Sequence, residues 1–267
     1  MINTLKQLLL GAVVALSLIS GAQAGETLQR IIDFKVLKVG MSADQPPMTT
    51  LNRQGGVMGF DVDLARGMAK AMRVELDIKV LPFGNLLDAL NKGEIDMIMS
   101  SMSITPERTE KAHFVGPYMM TGKSILTRNS VLAQASDTGA FNREDLKLAA
   151  VANSTSAVFV RENAPAAALT ETETSDAAVA LLIAGKVDGV VADMAVTKLA
   201  VLRNRDSGLV TLKQPLTLEP VGIAVSKDDP EFQNLVDNFL GAFEKTGVLG
   251  QLRKKWFEDG DWIAALP

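Results

Sequence analysis

Three short polar runs carry residue types able to hold a charged small molecule. The first is Ser100-Ser101-Met102-Ser103-Ile104-Thr105-Pro106-Glu107-Arg108. Thr105 followed by Pro106 reads as a helix start, with Thr as N-cap and Pro at the first helical position. Hydroxyls and free amides just ahead of such a start favour a carboxylate, because the unpaired N–H groups carry partial positive charge. Arg108 falls in the first turn, where a cation opposes the helix dipole. Its planar guanidinium offers a two-pronged grip on a carboxylate that Lys cannot reproduce. A solvated arginine near Glu107 and Glu110 is an equal alternative on these grounds.

The second run, Asn153-Ser154-Thr155-Ser156, places small hydroxyl residues between a strand and a helix. N-capping alone accounts for it. The third feature is Asp193, a lone carboxylate behind the apolar run VDGVVA. It either caps the next helix or binds a cation, and capping is the simpler reading. Together the three supply a carboxylate clamp, amides for the same carboxylate and a counter-charge for an ammonium. A buried zwitterion needs that inventory, since unpaired buried charges cost several kcal/mol each.

These runs sit just past the ends of predicted strands, where ligands bind in open α/β sheets. Val36 to Met41 reads as a strand, after an exposed lead-in from Gly25 to Phe34. Phe60, Leu64, Met68 and Met72 recur every four residues, one face of a helix, with Asp61 placed to cap or charge its start. Leu76–Val80, Ile95–Met99, Gly122–Asn129, Leu148–Ala152, Val187–Ala192 and Pro220–Ser226 follow as strands. Helices are expected at Phe83–Asn91, from Ser156, at Ala177–Ala184, through Phe232, Val236, Phe239 and Phe243, and from Val248 to Trp256. The alternation predicts α/β lobes with mainly parallel sheets.

Lys6, the apolar run Leu8–Ile19 and the small-residue ending Ala22-Gln23-Ala24 read as a signal peptide, residues 1–24, cleaved after Ala24. The apolar run is too short to span a membrane, which takes about 20 residues. The chain has no Cys, so disulfides, thiolate metal sites and a lipid-modified cysteine are excluded. One histidine, His113, argues against a His-rich metal site or a Ser-His-Asp triad, and no cofactor is expected. A formal charge of −4 with no basic cluster argues against nucleic acid or an anionic membrane as partner.

GFDVDLA (Gly59 to Ala65) and GEIDMIMSSMSITPERTEKAHFVGPY (Gly93 to Tyr118) resemble the periplasmic polar amino-acid-binding proteins of ABC importers, the bacterial extracellular solute-binding proteins of family 3. The likeness runs over essentially the whole mature chain. It implies the two-lobed type II periplasmic binding protein fold with two hinge crossings. Lobe 1 would hold residues 25–124 plus 219–267, and lobe 2 would hold 125–218. It also implies that Arg108 binds the ligand's α-carboxylate, with Ser101 and Ser103 contributing backbone and hydroxyl contacts. The Thr155 amide would meet the same carboxylate, Asp193 would take the α-ammonium, and Phe83 would pack on the ligand; Gln45 and Ser156 complete the expected lining.

This sequence departs from the family pattern in three places. Gln45 and Met48 stand where aromatics usually flank the Pro-Pro turn, and Ser154 stands where Gly is common, which raises a steric threshold for close backbone approach. Met48, Met99, Met102, Met119 and Met120 suggest a softer pocket, with core packing as the simpler role for most of them.

The function implied is capture of an amino acid by hinge closure in the periplasm, by a monomer that delivers it to an inner-membrane ABC permease. Two alternatives share the scaffold. One is a cyclohexadienyl or arogenate dehydratase-like enzyme, with Asp193 or Glu173 as candidate acid. The other is the soluble sensor of a membrane receptor.

Overall fold

A computed structural model describes residues 25–135 and 137–267; the expected signal peptide lies outside the described residues. The first described element is a helix, α1 (Glu26–Phe34), where the sequence suggested an exposed lead-in. Ile31 on its inner face is fully buried. Gly25 provides no side-chain cap. Asp229 does so from 201 positions away, its Oδ2 accepting from Leu28 N at 2.8 Å. No local pattern reveals a cap that distant.

Two five-stranded sheets follow one plan. The first is built from β1 (Val36–Met41), β5 (Glu75–Val80), β6 (Met97–Ile98), β7 (His113–Thr121) and β13 (Glu219–Val225), in the order β5-β1-β6-β13-β7. The second is built from β8 (Lys123–Thr127), β9 (Lys147–Val151), β10 (Ala168–Thr172), β11 (Gly189–Asp193) and β12 (Val210–Thr211), in the order β10-β9-β11-β8-β12. Strands β2 (Asp44–Gln45), β3 (Thr49–Leu51) and β4 (Val57–Met58) form a small separate meander after β1.

In the first sheet β1 runs parallel to β5 and β6, while β13 runs antiparallel to β6 and β7. In the second, β9 runs parallel to β10 and β11, while β8 runs antiparallel to β11 and β12. Each sheet is thus parallel in its βαβ half and antiparallel around the strand that has just crossed between lobes. Those crossing strands, β8 and β13, take the same fourth place in their sheets. The boundary expected at 124/125 falls inside β8, since Lys123 and Ser124 already pair with Asp193 and Ala192.

Only Gly122 separates β7 from β8. A Cβ there would lie 2.0 Å from the Thr217 carbonyl oxygen of the returning crossing, so the two crossings touch at a residue without a side chain.

The flanking helices bury one stripe each. In α2 (Phe60–Met72) the expected Phe60, Leu64 and Met68 are buried. In α8 (Pro230–Lys245) Asp229 caps the start and Phe232, Val236 and Leu240 are buried. The final helix, α9 (Val248–Arg253), stops before Trp256 and widens into a π turn over Lys254–Asp259. Met48, Met99 and Met102 are core, whereas Met120 is exposed. Among the described residues no helix is long and apolar enough to cross a membrane.

Candidate ligand cleft between the lobes

On the first lobe, β6 leads into Ser101, which adopts a left-handed backbone at φ 50°. Such a conformation costs a non-glycine residue about 1–2 kcal/mol. A buried brace holds it: Ser101 N donates to Asp61 Oδ2 at 2.8 Å, and Tyr118 Oη donates to Asp61 Oδ1 at 2.7 Å. Asp61 therefore does not cap α2 as the sequence suggested; its side chain turns inward and is fully buried. Burial pushes its carboxyl up to about 7, with the two hydrogen bonds pulling the other way.

Thr105 caps the short helix α4 (Pro106–Thr109), its Oγ1 accepting from Arg108 N at 3.3 Å. Arg108 is buried and its guanidinium is fixed on three sides. Nη1 donates to the Ser103 carbonyl at 2.8 Å, and Nη2 donates across the cleft to the Asn153 carbonyl at 3.2 Å. The guanidinium carbon stands 5.4 Å from the Phe83 ring centre, a cation–π contact. Burial depresses the Arg108 pKa, opposed by the carboxylates of Glu219 and Asp193.

On the second lobe, Ser154 caps α5 (Thr155–Asn163), accepting from Ala157 N at 3.2 Å. Its φ is −89°, so the position does not need the glycine the family pattern suggested. The left-handed residue is its neighbour Asn153, at φ 58°, a type that tolerates that conformation.

Asp193 ends β11 and precedes α7 (Met194–Arg203), but makes no capping bond. Its Oδ1 accepts instead from Lys123 Nζ at 2.6 Å. Lys123 is only 2 % exposed and also lies 3.1 Å from Glu219 Oε2. That oxygen accepts from Ser103 Oγ and Thr155 Oγ1, both at 2.8 Å, while Oε1 accepts from Thr217 Oγ1 at 2.9 Å. Burial alone would raise the Glu219 carboxyl; the Lys123 ammonium and these hydroxyls more than offset it, and it ends below its ordinary value.

Gln45, Phe83, Ser101, Ser103, Arg108, Thr155, Ser156 and Asp193, the eight residues anticipated from sequence, all line one interlobe cavity of about 30 Å³. Lys123 shares that lining and Glu219 bonds two of its walls; sequence reasoning passed over both. Each opens a strand, and only the tertiary crossing brings them together. Glu173 is exposed and His113 stands exposed at the start of β7, neither on the cavity wall. A further interlobe tie runs from Ser175 N to Asp44 Oδ2 at 2.8 Å; burial raises the Asp44 carboxyl. Among the described residues no cluster of His, Asp and Glu is placed to hold a metal ion.

The model of the bacterial extracellular solute-binding proteins, family 3, matches residues 37–259. The chain belongs to this family. Among its family-3 relatives is a probable histidine-binding protein of Neisseria gonorrhoeae, 29% identical over 84% of this chain and 83% of that one. The cyclohexadienyl dehydratase of Pseudomonas aeruginosa is 27% identical over 94% of each. Among solved structures, an ancestral amino acid-binding protein described as a precursor of cyclohexadienyl dehydratase superposes with a TM-score of 0.79. It is 32% identical over 87% of this chain and all of that one. The fold is accordingly the type II periplasmic binding protein fold, with its two lobes and two hinge crossings.

Proposed function

We propose that this family-3 protein captures a small zwitterion, an amino acid, by closing its lobes over it, and presents the closed form to an ABC permease after export to the periplasm. One observation carries the reading. Residues from both lobes converge on one cavity lined by Arg108, Lys123 and Asp193, and Glu219, bonded to its Ser103 and Thr155 walls, brings the two cations and two carboxylates of the cleft into balance. A zwitterion enters such a site without leaving a net charge buried, whereas a singly charged guest would leave one unpaired. Arg108 is the carboxylate grip and Asp193 the ammonium acceptor. Closure shifts a population toward the form in which both lobes touch the ligand.

Two features support binding over dehydration. A dehydratase needs a free general acid facing the cleft. Glu173 is exposed outside the cavity wall, and Asp193 is engaged by Lys123. A thermal-shift screen against amino acids tests the proposal, with prephenate and arogenate included and aromatic product assayed in parallel. A ligand at 100 times its Kd should add about 2.7 kcal/mol of stability. A screen in which only product formation responds would turn the reading to the enzyme.

A further inference from the structure

The cleft already holds one cation and one anion where the amino-acid reading places the ligand's own charges. Lys123 Nζ sits 2.6 Å from Asp193 Oδ1, the acceptor assigned to the ammonium. Glu219 Oε2 takes hydroxyl bonds from Ser103 of the first lobe and Thr155 of the second, beside Arg108, where the ligand carboxylate is assigned. The two groups are 3.1 Å apart, so together they present an ammonium and a carboxylate in the order an amino-acid head group would. Both lie at a crossing: Lys123 is the first residue of β8 and Glu219 the first of β13, the matching fourth strands of the two sheets. The cavity beside Lys123 is about 30 Å³, room for a water or two, while Glu219 borders the open part of the cleft, about 790 Å³.

We propose that Lys123 and Glu219 form an internal surrogate ligand, which holds the lobes together in the unliganded cleft and which an incoming amino acid displaces. The inference rests on reading the cleft as an amino-acid site. Glu219 ties the lobes directly, because one carboxylate oxygen accepts from a hydroxyl on each. When a ligand carboxylate takes those hydroxyls and a ligand ammonium takes Asp193, Lys123 and Glu219 remain paired with each other. The exchange swaps one neutral ion pair for one neutral zwitterion, and no buried charge is stranded. A carboxylic acid lacking the ammonium, or an amine lacking the carboxylate, replaces only half of the surrogate and binds worse. Apparent affinity is lowered by the share of molecules in the self-filled form.

Small-angle X-ray scattering of the ligand-free protein, wild type against Glu219→Ala, tests the tie without any ligand. The variant should have a larger radius of gyration, the direction a hinge opening gives. Calorimetric titration with L-histidine, L-arginine, L-lysine and L-glutamine uses the double variant Lys123→Met/Glu219→Gln, which removes both charges and strands neither. The responding amino acid should bind it about tenfold more tightly than wild type, because nothing competes for Ser103, Thr155 and Asp193. Unchanged scattering would overturn the proposal. So would a tenfold loss of affinity in the double variant, which would make the pair a ligand contact. Should Glu219→Ala fail to fold by circular dichroism, Glu219→Gln carries the scattering readout with the same sign and a smaller shift. If no amino acid of the thermal-shift screen binds wild type, the amino-acid reading fails, while the scattering comparison still decides whether the pair ties the lobes.

Discussion

The first lobe's cleft wall bends at Ser101, φ 50°, and carries Arg108 on a four-residue helix capped by Thr105. The second lobe's wall bends at Asn153, φ 58°, and opens a nine-residue helix capped by Ser154. The local devices are alike, a left-handed residue and then a hydroxyl cap, but their supports differ. The serine needs the buried Asp61–Tyr118 brace, whereas the asparagine is a type that accepts the conformation unaided. The first wall also presents a fixed cation, while at its bend the second offers hydroxyls and amides. A braced bend that carries a fixed cation, facing a bend that supports itself, suits a ligand that docks on the first lobe and is then covered by the second.

The largest break in that asymmetry should come from Arg108→Ala. It should cost about 2–5 kcal/mol of amino-acid binding, the range for stripping one partner from a buried charge pair. Thr155→Val on the facing wall should cost less, about 1.5–3 kcal/mol, the worth of one hydrogen bond to a charged group. Calorimetry on the two variants measures the gap, and equal losses would remove it.

Next in size is the brace. Asp61 has a folded pKa near 7 against 3.8 ordinarily, so the folded state holds a proton that the unfolded chain has lost. Its contribution to stability therefore falls as pH rises from about 4 to about 7. A rise of that kind corresponds to a few kcal/mol at most. Denaturant melts of Asp61→Asn should show a flatter pH dependence than wild type across that window. A matching slope in both proteins would assign it elsewhere.

Smaller still are the caps. Ser154→Ala should lower stability by about 1 kcal/mol. Thr105→Ala should cost less, because its bond to Arg108 N is 3.3 Å long and its helix only four residues. Last, Ser101→Gly should stabilise more than Asn153→Gly, though both by under about 1 kcal/mol, since glycine relieves a serine more than an asparagine at positive φ. Thermal melts rank these four.

Much of the scaffold is legible in single residues. The four-residue spacing of Phe60, Leu64 and Met68 marks α2, and Thr105-Pro106 marks the turn that places Arg108. The apolar VDGVVA run delivers Asp193 to the cleft. Three readings failed for one reason. Asp193, read as a cap, instead meets Lys123, 70 positions away. Asp61 looks like a cap because it sits one residue inside a helix start, yet its partners are 40 and 57 positions away. Residues 26–34 look like an exposed lead-in because the aspartate that caps them is Asp229.

The sequence by itself determined the α/β alternation and the Thr105 and Ser154 caps, because periodicity and capping act over a few neighbouring residues. The eight residues that line the cavity were legible through the family resemblance, not through local pattern. Tertiary structure alone decided that β8 and β13 run against their neighbours and that Lys123 meets Glu219 and Asp193. Those contacts join residues about 70 to 96 positions apart, and only the two chain crossings bring them within hydrogen-bonding reach.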